Sequence, residues 1–229
     1  MKSAFRRLFA ALLIVVLIFS VFTLTSCNRR YDEEEVLSVA TKLLRNAEML
    51  NEVYYGKGIR YVTSGYIDGS YYEADMMHLA SLGFTTVKEL RDITLETFTV
   101  GYSEQIFSTK LSMIEDETGI QYMTRYYQRY DGLDGSDPVC IMVYSSAPVS
   151  LKDEIVYDYS SVRVSGVKKQ TVYVTVSATV TNSEGESQKR DIILNLIEED
   201  DGWRIDGPCY TNYSTALDRY EELENNKIK

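Results

Sequence analysis

The chain has 229 residues, with three prolines and three cysteines, and its 34 acidic side chains outnumber 24 basic ones for a net charge of −10. An acidic surface repels phosphate backbones, which excludes nucleic acid as a partner. The length suffices for one sizeable hydrophobic core, and the absence of repeats and low-complexity linkers argues against a string of modules.

Lys2, Arg6 and Arg7 precede Leu8–Leu24, an uncharged stretch built mostly from Leu, Ile, Val, Phe and Ala. A positive start followed by an apolar run is the layout of an export signal. The run closes on Leu24-Thr25-Ser26-Cys27, which resembles the lipobox of bacterial lipoproteins: an aliphatic residue, two small residues, then cysteine. The resemblance implies that residues 1–26 are a cleaved signal peptide and that the Cys27 thiol carries a diacylglyceryl group. It places the body on the outer face of the bacterial cytoplasmic membrane, with membrane lipid as its first partner. The competing reading, an uncleaved membrane helix, requires roughly 17–25 apolar residues, and Leu8–Leu24 lies at the short edge of that range. Two acyl chains anchor a protein stably where a single chain does not. Residues 27–32 form a short tether, reaching about 20 Å at ~3.3–3.6 Å per residue. Arg29 and Arg30 lie where anionic headgroups attract them.

From Asp32 to Tyr55, the residues Val36, Val39, Ala40, Leu43, Leu44, Ala47, Leu50 and Tyr54 recur at helical spacing. Asp32 and the glutamates that follow suit the positive end of a helix dipole, and Gly56 and Gly58 stop the helix. Ile59–Tyr66 and Tyr71–Ala74 flank Asp68-Gly69, a favoured hairpin turn. Thr86-Val-Lys-Glu89 reads as a capping box, with Val87, Leu90, Thr94 and Phe98 along one side of its helix. Ser103 is expected to cap the next helix, with Ile106, Phe107, Lys110, Leu111 and Ile114 behind it. Beyond residue 120 the period changes to two. Residues 121–130 and 138–146 are expected strands around the turn Asp131–Asp137. Thr171–Thr181 alternates Val172, Val174, Val176, Ala178 and Val180 against hydroxyl-bearing residues and Tyr173, a half-buried antiparallel strand. Asn182–Glu186 turns it, and Ile192, Leu194 and Leu196 supply its partner's buried face. Asp200-Asp201-Gly202 turns again into Trp203–Asp206, and residues 214–229 are a charged tail or helix.

This order predicts an α+β fold, with N-terminal helices packed against a curved, mainly antiparallel β-sheet. It resembles the nuclear-transport-factor-two-like, or cystatin-like, superfamily, in which such a sheet wraps the helices into a cone. The closing Asp201-Gly202-Trp203-Arg204-Ile205-Asp206-Gly207 is similar to the last strand of secreted members, where a Trp closes the core. The resemblance implies one domain over residues 33–213. Members include enzymes with an acid in the cone as well as non-catalytic binding proteins, so fold alone chooses no activity. Phe84–Ile114 also bears a fainter likeness to secreted inhibitors of cell-wall endopeptidases.

His78 is the single histidine, expected at the end of the hairpin or on a turn, and no Gly-x-Ser-x-Gly elbow accompanies it. Asp131, Asp134 and Asp137 cluster in a turn, but their spacing does not match a calcium loop, and a solvated turn is the plainer reading. Glu198–Asp201 is likewise a wet turn. No metal or other cofactor is expected. Cys140 and Cys209 either pair, closing a loop of about 70 residues for roughly 4 kcal/mol, or stay as two buried thiols. Nineteen tyrosines are the unusual feature. A flat apolar ring with a polar tip suits contact with protein, peptide or glycan, and equally suits a half-buried strand. Tyr126, Tyr130, Tyr157 and Tyr159 are the residues singled out as a binding surface. The leading expectation is a non-catalytic, envelope-exposed binding lipoprotein. The alternatives are a small-molecule enzyme with an acid in the cone, and an inhibitor of a cell-wall hydrolase.

Overall fold

A computed structural model describes residues 31–68, 71–111, 114–115, 121–122, 124–131, 137–149, 153–207 and 209. Cys27, the proposed signal, the turn residues 132–136 and the tail 214–229 lie outside these. The chain divides into two units, Met1–Glu35 and Val36–Lys229. Among the described residues no helix is long and apolar enough to cross a membrane.

Helix α1, Glu33–Tyr54, starts where expected. Asp32 Oδ1 accepts the backbone N–H groups of Glu34 and Glu35, two donors that have no partner inside the helix. Val36, Ala40, Leu43, Leu44, Ala47, Leu50, Val53 and Tyr54 are buried along one stripe, and Asn51 is buried with them. Fully burying a Val, Leu or Phe side chain contributes about 1.5–3 kcal/mol. Strands β1 (Tyr61–Asp68) and β2 (Tyr71–Ala74) form the expected hairpin. Helix α2, Met76–Leu82, follows at once, with Asp75 accepting from Met77 N and His78 N, and Gly83 closing it at φ 84°. The carboxylate cap places His78 on a helix, not on the turn expected from the sequence.

Helix α3, Val87–Thr97, has the reciprocal Thr86–Glu89 capping box. Helix α4, Val100–Lys110, is capped by Thr99 rather than Ser103. Ser103 is buried inside the helix, where its hydroxyl lies 3.4 Å from the carbonyls of Thr94 and Phe98. A hydroxyl mid-helix can satisfy itself on an earlier carbonyl, which made it resemble a cap in the sequence. The helix also ends sooner than the apolar spacing suggested. Leu111 is its C-cap, and Ile114 belongs to the short strand β3, Ile114–Glu115, paired with β4, Gln121–Tyr122.

The expected α+β class, helices on mainly antiparallel sheet, is what is seen. Apart from β3 and β4, the strands divide between two four-stranded sheets. One has the order β1-β2-β6-β5, with β5 Tyr126–Asp131 and β6 Asp137–Tyr144. The other has the order β10-β9-β8-β7, with β7 Glu154–Lys168, β8 Thr171–Thr181, β9 Ser187–Glu199 and β10 Gly202–Ile205. β8 and β9 run in unbroken register from Thr171↔Ile197 to Thr181↔Ser187. Val172, Val174, Val176 and Ala178 are buried from β8, and Leu194 and Leu196 from β9. Trp203 is only half-buried, whereas Ile205, two residues on, is buried. Helix α3 is held by both sheets. Val87 N donates to Gln128 on β5, and Arg204 on β10 donates to the Leu95 carbonyl.

Candidate functional site

The tyrosines chosen from the sequence do not share one surface. Tyr126 is fully buried, at 0% exposure. Its hydroxyl donates to the Val53 carbonyl (2.6 Å) and accepts from Ile59 N (3.1 Å) and Arg125 Nε (3.0 Å). The buried Arg125 guanidinium donates to the carbonyls of Tyr54 (2.9 Å) and Gly56 (2.6 Å). A cation at a helix C-terminus meets carbonyls that have no partner in the helix and the negative end of its dipole. Tyr126 and Arg125 therefore fasten the end of α1 to β5, and Tyr126 offers nothing to a partner. Tyr130, at the far end of β5, is 55% exposed.

Tyr157 and Tyr159 lie on the other sheet. Tyr157 is 7% exposed and donates to the Cys209 carbonyl at 2.8 Å. Burial pushes its phenol well above the ordinary range. Beyond Asp158 the β7–β8 register shifts, so that β7 carries extra residues before Arg163 meets Thr175. Ser161 Oγ fills the gap by accepting Ser177 N at 2.7 Å. Such a bulge re-aims side chains. Tyr159, on the bulged stretch, reaches Glu48 on α1 with its hydroxyl 2.5 Å from Oε2, and Arg45 stacks on its ring at 4.5 Å. Burial, then the Glu48 contact, raises the Tyr159 pKa.

Beside this contact is a cleft of about 310 Å³ between α1 and β7, lined by Glu48, Asn51, Glu52 and Asp153–Tyr157. That volume is at the lower end of the about 300–1,000 Å³ typical of ligand sites. Glu48, Glu52 and Glu154 are exposed, while Asn51 and Tyr157 are buried. Asn51 Nδ2 donates to the Cys209 sulfur at 3.4 Å. The cleft thus has a buried polar floor, an apolar contribution from Ile155 and Val156, and carboxylates toward solvent.

Cys140 and Cys209 are both free and buried, so the disulfide weighed from the sequence is not formed. Their surroundings differ. Cys140 packs with Tyr71 and Met142 on the first sheet, whereas Cys209 lies against Asn51 of α1. Burial pushes the Cys209 thiol up to about 11 and also raises Cys140, leaving both in the unreactive protonated form at neutral pH.

His78 Nδ1 accepts the backbone N–H of Arg60 at 2.9 Å, so the single histidine is used as a structural acceptor. Asp131 and Asp137 face each other at the turn end of the β5–β6 hairpin, and Asp201 accepts from Arg204 at 2.7 Å. Among the described residues no group of three His, Cys, Asp or Glu side chains is arranged to hold a metal ion. The carboxylates with clearly displaced ionisation, Glu89, Asp158 and Asp191, are held low by hydrogen bonds from backbone or side-chain donors.

Sequence reasoning missed Glu48, Asn51, Glu52, Asp153 and Glu154. One signal was present. Asn51 interrupts the buried stripe of α1 between Leu50 and Tyr54, with Glu48 and Glu52 one turn apart beside it. The sequence matches no protein-family model, and none of the curated proteins matches it.

Proposed function

We propose that the protein is a lipid-anchored, non-catalytic binding module of the bacterial cell envelope, tethered through Cys27 to the outer face of the cytoplasmic membrane. One observation carries this reading: Leu24-Thr25-Ser26-Cys27 stands at the end of the uncharged run Leu8–Leu24, behind Lys2, Arg6 and Arg7. A net-negative body has little affinity of its own for an anionic bilayer, so acyl chains supply the retention, at about 0.8 kcal/mol per buried CH₂. Binding is favoured over catalysis because the described histidine, two of the tyrosines singled out and the described thiols are engaged in the fold. His78 accepts a backbone N–H, Tyr126 and Tyr157 brace buried carbonyls, and both described thiols are buried. The partner is an envelope protein, peptide or glycan.

The test is metabolic labelling with a palmitate analogue, comparing the parent with Cys27→Ser. The parent should label and fractionate with membranes, and the variant should do neither. A parent that fails to label, or a variant that fractionates like it, contradicts the proposal.

A further inference from the structure

β7 is the last strand of its sheet, and among the described residues no further strand pairs with its outer edge. Along Asp153–Tyr157 it forms one wall of the cleft, opposite Glu48, Asn51 and Glu52 of α1. Successive residues of a strand point to opposite faces. A cavity touched by five consecutive residues therefore runs along the backbone edge, not over one face. An open edge presents N–H and C=O groups to any extended chain that can approach, and a helix alongside it turns that edge into a groove.

Charge selects the occupant. Four carboxylates, Glu48, Glu52, Asp153 and Glu154, stand among the lining residues, and no lysine or arginine does. Unpaired edges are commonly guarded against random association by charged side chains. Arg190 interacts with Asp153, and Arg45 stacks on Tyr159 beside Glu48, but carboxylates remain in excess, so the groove repels acidic segments and attracts basic ones. Ile155 and Val156 add apolar surface for the stems of long cationic side chains.

We propose that the groove between α1 and the edge of β7 binds an extended, lysine- or arginine-rich segment of a partner protein by strand addition. This rests on the reading of the chain as a binding module and names the chemistry of its partner. Main-chain hydrogen bonds to Asp153–Tyr157 supply the register, and the four carboxylates supply the selectivity.

The test uses the full-length protein in non-ionic detergent with three labelled decapeptides: alternating Lys-Val, alternating Glu-Val, and the Lys-Val sequence N-methylated at every residue. The Lys-Val peptide should bind by fluorescence anisotropy, and the Glu-Val peptide should not. The N-methylated peptide, which keeps the charge but has no backbone donors, should bind at least about tenfold more weakly. Hydrogen exchange should slow at alternate amides of Asp153–Tyr157 when the Lys-Val peptide binds. Glu154→Lys, at an exposed position, should weaken binding about tenfold while melting at the parent's temperature. Equal affinity for the N-methylated peptide overturns strand addition. Binding of none of the peptides, or protection confined to other strands, overturns the site. If crosslinking in intact cells then still captures a partner, the binding-module reading stands and this groove is not where the partner docks.

Discussion

Replacing Tyr126 by Phe removes one oxygen and leaves the ring in place. That oxygen makes three contacts in a fully buried position, with Val53 O, Ile59 N and Arg125 Nε. Arg125 keeps two other acceptors, the carbonyls of Tyr54 and Gly56. The Val53 carbonyl and the Ile59 N–H lose the phenol as partner. Leaving a buried donor or acceptor unsatisfied costs about 1–3 kcal/mol. Two such groups, less the milder desolvation of Phe, give a loss of about 3 kcal/mol. For a domain of 150–250 residues each kcal/mol moves the melting temperature by about 2–4 °C, so Tyr126→Phe should lower it by about 9 °C. Thermal unfolding followed by near-ultraviolet circular dichroism measures this. Tyr130→Phe on the same strand is the control, because a change at an exposed position typically stays within about 0.5 kcal/mol. A Tyr126→Phe melt less than about 2 °C below the parent's would refute the idea that this hydroxyl fastens the end of α1.

Three other outcomes follow from the same geometry. Gly58 sits at φ 82°, and a Cβ there would lie 2.5 Å from the Tyr126 hydroxyl and from Arg125 Nη2. Gly58→Ala should therefore cost more than about 1 kcal/mol, and a neutral result in a urea melt would show that the lock is loose. His78 has its pKa lowered from 6.5 by burial first and then by Arg60, against an opposing pull from Asp75. The folded state disfavours the charged imidazole, so the stability it contributes is full above pH 6.5 and is lost as pH falls from there through the lower folded-state pKa. An NMR titration of the single imidazole that gave a midpoint at or above 6.5 would contradict this. For Cys140 and Cys209, reductant should leave the melting temperature unchanged, and neither thiol should react with iodoacetamide below the unfolding transition. Rapid alkylation of the folded protein would refute that.

Where a physical signal was local, it was readable in the sequence. The α1 stripe, the Thr86–Glu89 capping box and the alternation of Thr171–Thr181 each depend on residues within a turn or a ladder of each other, and each appears in outline, although Thr175 is buried and Val180 and Val39 are only half-buried. Ser103 shows the limit of that signal. A hydroxyl cap and a hydroxyl bonded back onto an earlier carbonyl use the same residue type, and only the three-dimensional position of Thr99 separates them. The site was less legible because it is non-local. Tyr126 was buried by contacts with Val53 and Ile59, far away in the sequence. The cleft joins α1 to β7 across about a hundred residues, and the β7 bulge that aims Tyr159 at Glu48 has no composition signature. The two cysteines fit a disulfide by number and proposed location, but packing put them among different neighbours.

The most direct test of the whole account is the intact mass of the protein extracted from membranes of the cells that make it. The account predicts a chain that starts at Cys27, heavier than residues 27–229 by a diacylglyceryl group, with or without a further acyl chain on the amine. A mass matching the unmodified sequence from Met1, or an unmodified chain cut elsewhere, would contradict it.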